Sequence, residues 1–168
     1  AWLDPANARA WLALIRDRLA QADPDHAPLY RQNAEATDQA LAALEGELQT
    51  ILAPAAGKPL IMGHNAYGYL ARRFGLTIAA TIEAGDAAEP GAAHISALTA
   101  LLAAHKVTCL FPEAGQDPKR AALLVEGTTT RLGGALDPEG ISLTPGPGLY
   151  GDLMRRLAHT IADCAAQG

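Results

Sequence analysis

Three side chains that could bind a metal ion lie just after apolar runs typical of buried strands: His64, Glu113 and Asp137. In an open α/β sheet, ligands bind outside the carboxyl ends of the strands. Right-handed crossovers place these ends along one edge of the sheet, so we expect the three side chains on the same edge. An imidazole together with carboxylates is a ligand set suited to zinc. The sequence therefore predicts a candidate metal site at this edge.

Each of these residues also has an ordinary structural interpretation. A histidine after a strand can simply cap the following helix, and acidic residues beside proline or glycine commonly form turns. For Glu113 and Asp137 taken singly, the turn is the more frequent role. The remaining histidines lie in loops or near helix ends, where solvated or capping roles are expected. They are His26, His94, His105 and His159.

A second class of function stays open for the same three residues. A hydrolase could use His64, Glu113 and Asp137 around a zinc ion that keeps an open coordination position. However, no two histidines have the i, i+4 spacing of a helical zinc site, and Glu113 is the only obvious general base. No serine lies in a nucleophile elbow, and no glycine cluster matches a phosphate-binding loop.

Alternating strand and helix patterns must position these side chains. Apolar runs typical of strands span 60–63, 76–82, 107–111 and 128–132. Helical periodicity fills the segments between them, beginning with a helix over 65–74. This alternation predicts an α/β fold with a four-stranded, mostly parallel sheet flanked by helices. An acidic loop is expected over 83–91.

Two helices are expected before the sheet, so residues 1–53 are predicted to form a helical segment and residues 54–168 an α/β lobe. Asp4 and Pro5 have the types expected of an N-cap and a first helical residue. An apolar stripe follows them along the first helix. Its members are Trp11, Leu12, Leu14, Ile15 and Leu19.

The second helix is long and carries a narrow apolar seam that includes Leu41, Leu44 and Leu48. At 1.5 Å per residue, its length is roughly 35–40 Å, which is more than one small domain needs. It is either a packed amphipathic helix or a connection towards a second lobe. A further interpretation is that the seam pairs with another copy of the chain.

The composition limits the possible partners. The net charge of −5 argues against nucleic acid, because binding a phosphate backbone needs a basic surface. No run approaches the ~18 consecutive apolar residues of a membrane-spanning helix, so membrane insertion is not expected, and no signal peptide is visible. The chain opens on Ala1 without a methionine, which indicates a processed chain or a piece of a longer one. Cys109 and Cys164 are either two buried thiols or a disulfide, and their spacing does not decide between these states.

Four short motifs, spread over the whole chain, resemble one known family. They are Trp2-Leu3-Asp4-Pro5, His64-Asn65-Ala66-Tyr67-Gly68-Tyr69-Leu70, Thr108-Cys109-Leu110-Phe111 with Glu113, and Leu136-Asp137-Pro138-Glu139-Gly140. In combination they resemble the periplasmic zinc-binding proteins of bacterial zinc ABC importers, within the wider zinc/manganese solute-binding group. Manganese-binding members have glutamate at the position of His64, so the histidine favours zinc.

The resemblance implies a particular architecture and set of site residues. Family members have two α/β lobes joined by a long helix, with zinc held between them, and this chain resembles the carboxyl-terminal lobe without its amino-terminal partner. His64 and Asp137 are implied as metal ligands, with Glu113 and Asn65 beside them. Asn65 stands where the family usually has aspartate, which removes an acceptor that could orient His64. The two cysteines are implied to form a disulfide.

The function implied by the resemblance is capture of periplasmic zinc and its delivery to a membrane ABC permease, without enzymatic activity. Zinc sites closed by protein have four ligands, whereas this lobe offers at most two or three. We therefore expect the chain alone to bind zinc weakly, with solvent completing the coordination. The missing amino-terminal lobe is expected to supply the remaining ligands.

Overall fold

A four-stranded parallel sheet forms the centre of the computed structural model, which describes residues 1–83 and 91–167. The strands are β1 (Pro59–Met62), β2 (Thr77–Thr81), β3 (Cys109–Leu110) and β4 (Arg131–Leu132). Their order is β2-β1-β3-β4, and every neighbouring pair is parallel. The predicted α/β fold with a four-stranded parallel sheet is confirmed. Most of the acidic loop expected over 83–91 lies outside the described residues.

Six α-helices accompany the sheet in the described part of the chain. They are α1 (Pro5–Ala22), α2 (Ala27–Leu52), α3 (Gly68–Phe74), α4 (Ala92–Ala103), α5 (Pro118–Val125) and α6 (Leu149–Ala166). Two helix starts follow the same local chemistry, because Asp4 accepts a hydrogen bond from the Ala6 amide and Asp117 from that of Lys119. None of the helices in the described ranges is both long enough and apolar enough to cross a membrane.

Helix α3 begins three residues later than the sequence pattern indicated. The carbonyl of Tyr67 accepts the first helical hydrogen bond, from the Ala71 amide at 2.8 Å. Tyr67 is fully buried, so it continues the apolar pattern although its backbone precedes the helix. His64 therefore lies on a turn between β1 and α3. Gly75, with φ of 68°, ends the helix in the left-handed conformation that glycine adopts easily.

The two faces of the sheet are covered by separate hydrophobic clusters. Along β1, Leu60 and Met62 point into the cluster that contains α2 and α6 residues, whereas Ile61 points into the cluster beneath α4 and α5. This alternation is the two-residue period of a strand. Because both faces of β1 are covered, apolar residues follow one another along the strand without polar residues between them.

The apolar seam of α2 is buried within this chain. Leu44 and Leu48 join the hydrophobic cluster that also contains Leu157 and Ile161 of α6, and Leu41 is 9 % exposed. The interpretation that this seam pairs with another copy of the chain is therefore wrong, since α1 and α6 already pack along α2. The division of the chain at residues 53 and 54 stays a prediction.

Helix α1 differs from the expectation that its apolar stripe packs in a core. Trp11, Leu14, Ile15 and Leu19 are between 42 and 64 % exposed, and we call them the α1 apolar face. Helical periodicity places these side chains together. Helix α1 packs on α2, and Trp11 and Ile15 border a groove that Leu41 and Leu44 of α2 also line. An exposed apolar cluster of this kind is typical of a surface that packs against another protein segment.

A disulfide joins Cys109 of β3 to Cys164 of α6, with a Cα–Cα distance of 6.3 Å. The disulfide implied by the sequence resemblance is thus confirmed. It links the central sheet to the helix that covers one face. In the chain-entropy model, closing a loop of this length stabilises the folded state by about 4 kcal/mol. Such bonds persist in oxidising compartments such as the bacterial periplasm.

Candidate metal-binding site

His64 and Glu113 meet at the carboxyl edge of the sheet, as the sequence predicts. His64 follows the end of β1 by two residues, and Glu113 follows the end of β3 by three. The Nδ1–H of His64 donates a hydrogen bond to Oε2 of Glu113. Their side chains are 22 % and 13 % exposed, so the pair is partly shielded from water but still reachable.

The absence of a side chain at Gly63 permits this approach. A Cβ atom at Gly63 would lie 3.1 Å from both Cβ and Oε2 of Glu113, and 3.3 Å from its amide nitrogen. These distances are shorter than ordinary van der Waals contacts, so a larger residue would displace Glu113. Gly63 therefore determines how closely the two segments approach beside His64.

The hydrogen bond determines which nitrogen of His64 can bind a metal. When Nδ1 carries the proton, the lone pair of the neutral imidazole is on Nε2. A carboxylate on the far nitrogen is also the usual support of a metal-bound histidine, because it fixes the ring and increases its basicity. Burial raises the pKa of Glu113, and the hydrogen bond and charge of His64 oppose that rise.

A cavity of about 850 Å³ opens beside the His64–Glu113 pair. Its charged and polar lining includes Asn65, Arg72, Glu83, Gln116 and Glu139. The carboxylates of Glu83 and Glu139 repel that of Glu113 and so add to the rise of its pKa. A cavity with this arrangement of carboxylates attracts cations. Among residues 1–83 and 91–167, no group of three His, Cys, Asp or Glu side chains is placed to hold a metal ion together.

Tyr67 lies beneath the site and was not singled out by the sequence as a polar group. Its ring stands edge-on to that of His64, with the centroids 5.9 Å apart. Among the described residues its buried hydroxyl makes no hydrogen bond of standard geometry, but it lies near enough to Glu113 for a weak hydrogen-bonding interaction with that carboxylate. Burial, together with the negative charges of Glu113 and Asp137, raises the pKa of this phenol. In the sequence, the proximity of Tyr67 to His64 was indicated by its i+3 spacing and by its place in the motif over 64–70.

Asp137 has a different environment from the other two candidates. Its Oδ1 accepts hydrogen bonds from the amides of Gly140 and Ile141, at 2.8 and 3.1 Å. Its Oδ2 accepts from the amide and the hydroxyl of Ser142, at 2.8 and 2.6 Å. Burial alone would raise the pKa of Asp137, but these hydrogen bonds outweigh it and lower the pKa. The side chain does not line the cavity described above.

The structure therefore brings together two of the three residues that the sequence selected. His64 and Glu113 are in contact, and Asn65 lines the cavity next to His64 as an exposed side chain. The hydrogen bonds of Asp137 match the turn-forming role that the sequence left open. Its role as a metal ligand, and any effect of Asn65 on the orientation of His64, stay predictions.

Comparison with known proteins gives a consistent family match. A family model described as "ZnuA: Zinc-uptake complex component A periplasmic" matches residues 1–164. A ZnuA high-affinity zinc uptake system protein of Paracoccus denitrificans is 46 % identical over 164 residues, covering 98 % of this chain and 50 % of the relative. One from Brucella suis is 39 % identical over 166 residues, covering 99 % and 49 %. The chain thus spans about half the length of the curated relatives it matches.

Solved structures give the same fold. A crystal structure of ZnuA has a TM-score of 0.80 and 25 % identity, covering 98 % of this chain and 60 % of that one. The solute-binding protein FpvC from Pseudomonas aeruginosa, solved in complex with Mn²⁺, has a TM-score of 0.79 and 26 % identity with the same coverage. The fold is therefore that of metal-binding solute-binding proteins.

Proposed function

Because this chain belongs to the periplasmic family of zinc-uptake complex component A, we propose that it captures periplasmic zinc for delivery to a membrane ABC permease. In this proposal the chain is one lobe of a solute-binding protein and has no enzymatic activity. The observation that carries the proposal is the His64–Glu113 pair at the mouth of an acidic cavity. The protein would act in the periplasm, where its disulfide is stable.

Each site residue has a defined task in this proposal. His64 binds zinc through Nε2, and Glu113 holds the ring by accepting the hydrogen bond from Nδ1–H. Protons compete with zinc for the imidazole, so affinity falls on acidification. Asn65 lines the same cavity and would lie beside the ion. Asp137 as a direct ligand stays a prediction, because an ionised carboxylate has about four lone-pair sites and the Asp137 side chain already accepts four hydrogen bonds.

The remaining ligands would come from a second lobe. A closed zinc site has four ligands, more than His64 and its neighbours supply. The curated relatives are about twice as long as this chain, which leaves room for such a lobe. The exposed α1 apolar face offers a packing surface for it. Without that lobe, solvent would complete the coordination, and binding would be weak.

The hydrolase interpretation has less support. A general base takes a proton from water, whereas the contact that the Glu113 carboxylate makes, a hydrogen bond from Nδ1 of His64, is typical of a group that orients a metal-binding ring. Asp137 is likewise engaged, with the turn that follows it. We therefore do not propose a zinc-dependent hydrolase.

Calorimetric zinc titration of the chain and of two histidine variants tests the proposal. His64→Ala should lose most of the zinc affinity, whereas His159→Ala should retain it, because His159 is an exposed residue of α6 that does not line the cavity. Equal binding by the parent and His64→Ala would remove His64 from the site. The same titration with Mn²⁺ and Ni²⁺ compares zinc with ions found in FpvC structures, and zinc should bind most tightly.

A further inference from the structure

We propose that Asp137 is a positioning residue, which folds the turn at 138–142 so that Trp2 and Glu139 form the wall of the cavity facing His64. This inference rests on the proposed zinc-binding function, and it gives Asp137 a role other than direct coordination. Three sets of contacts carry it: those within the turn, those from the turn to Trp2, and those that form the cavity wall.

The turn is organised by the Asp137 carboxylate itself. Three successive amides and one hydroxyl, from residues 140 to 142, donate to its two oxygens. Gly140 adopts a φ of 73°, the left-handed conformation that lets the chain curl around the carboxylate. Asp137 as a whole residue is only 7 % exposed, so these bonds are shielded from competing water. A metal ion at Asp137 would have to displace at least one of these donors.

The turn holds the first residues of the chain through a backbone carbonyl. The Nε1–H of Trp2 donates to the carbonyl of Pro138 at 2.8 Å, across 136 positions of sequence. The hydroxyl of Tyr150 donates to the carbonyl of Trp2 at 3.0 Å. Trp2 is thus fixed by two separate segments of the α/β region, and Leu3 beside it is fully buried.

The first residues of the chain and the turn at 138–142 both contribute to the lining of the His64 cavity. Ala1 and Trp2 contribute one part of the lining, and Glu139, two residues after Asp137, contributes another. The charge of Glu139 is felt at Glu113, since it raises the pKa of that carboxyl. A change in the turn would therefore displace both the Trp2 ring and the Glu139 carboxylate, although Asp137 itself lies outside the cavity lining.

Two conservative substitutions separate positioning from coordination. Asp137→Asn keeps the size of the side chain but replaces one acceptor oxygen with an NH2 donor, so at least one backbone amide of the turn loses its acceptor. Trp2→Phe keeps an aromatic ring and removes the N–H that reaches Pro138. If Asp137 acts through Trp2, each variant should lower zinc affinity by about tenfold. The double variant should then be no weaker than the weaker single variant, because coupled residues are not additive.

Cobalt(II) absorption and the indole N–H signal complete the experiment. With Co²⁺ in place of zinc, the ligand-field bands should be the same in the parent and in Asp137→Asn.

In NMR spectra, the Trp2 indole N–H, assigned from its loss in Trp2→Phe, should exchange faster with solvent in Asp137→Asn. Ser142→Ala, a milder change of the same turn, should speed this exchange to a smaller extent. Leu123→Ala, at an exposed position of α5 that lines neither this cavity nor a groove with Trp2, should change neither zinc affinity nor the Trp2 signal.

The outcomes are distinguishable from failure of the proposed function. Altered cobalt bands in Asp137→Asn, with effects additive to those of Trp2→Phe, would make Asp137 a ligand and overturn the inference. An unchanged Trp2 exchange rate in folded Asp137→Asn and Ser142→Ala would overturn it as well, whether or not zinc binds. Failure of the proposed zinc-binding function would be detected separately, as equal zinc affinities of the parent and His64→Ala.

Discussion

Arg73 donates from Nε to Oδ1 of Asp4 at 2.8 Å, and the same oxygen accepts the amide of Ala6 at the start of α1. One carboxylate oxygen therefore caps a helix and ties that helix to α3. The carboxylate is mostly buried, with its side chain 12 % exposed, whereas Arg73 is 35 % exposed. Asp4 thus stabilises both the local structure of α1 and its attachment to the α/β region.

Asp4→Ala should lower the free energy of unfolding by about 1–2 kcal/mol, the usual range for loss of an N-cap. Arg73→Met should cost less, because an ion pair with a partly exposed partner is screened by solvent. Urea unfolding followed by circular dichroism measures both. The assignment would be contradicted if Arg73→Met proved the more damaging change.

Gly63→Ala should weaken zinc binding by about tenfold, as other losses of a histidine-supporting carboxylate do. The added methyl would lie 3.1 Å from Glu113 and move it away from His64. Calorimetric titration with zinc provides the measurement. Gly46→Ala on α2, where a Cβ meets nothing within 4 Å, is the matched control and should keep parental affinity. Parental affinity in Gly63→Ala would mean that Glu113 does not support the metal-binding ring.

Removing the disulfide should cost about 4 kcal/mol of unfolding free energy, if closure of the loop acts through the unfolded chain. The double variant Cys109→Ser, Cys164→Ser avoids leaving a single reactive thiol. Its thermal midpoint should fall to that of the parent in reductant, and reductant should not lower it further. A midpoint equal to that of the oxidised parent would show that the bond adds no stability.

Acid should destabilise the protein in part through Asp137, whose pKa is lower in the folded than in the unfolded chain. A carboxyl of this kind stabilises the fold fully above its unfolded pKa, about 3.9 for aspartate. The stabilisation is lost as the pH falls through the lower folded value. Urea unfolding at a series of pH values between about 2 and 5 should therefore give a shallower acid dependence for Asp137→Asn than for the parent. Ser142→Ala should be intermediate, and identical slopes in all three would contradict the assignment.

Leu14→Ser with Ile15→Ser should change the stability of this chain by less than about 0.5 kcal/mol per residue, since both side chains are exposed. The same pair should abolish association with a second lobe if the α1 apolar face is its docking surface. Sedimentation of the chain with the separately expressed, unmatched half of the Paracoccus denitrificans relative provides the measurement. Polar changes at Gln32 and Asn33, exposed positions of α2, should leave association intact.

Sequence patterns predicted the sheet edge and its histidine well, because strand burial and strand polarity are both local properties. Leu60, Ile61 and Met62 are apolar on both faces, and the first polar side chain after them had to emerge at the carboxyl end. The N-cap at Asp4 was equally predictable from sequence, since a cap depends on its own residue and the next few.

Other features depended on contacts between segments distant in the sequence. Periodicity placed Leu14 and Ile15 on one face of α1 but could not say whether anything covers that face. The bonds of Asp137 were suggested only by neighbouring proline and glycine, which do not specify how many amides converge on one carboxylate. Trp2 meets Pro138 across most of the chain, and no local pattern encodes that pairing.

The strand order has a consequence for where the cation site can be. From β1 the chain passes to β2 on one side and then returns to place β3 on the other side. The connections after β1 and β3 therefore leave the sheet in opposite directions, and a crevice opens between their first residues. Residues 64 and 113 flank this topological switch point whatever side chains they carry. The location of the proposed site is thus a property of the connectivity, whereas its preference among metal ions would depend on the side chains at these two positions.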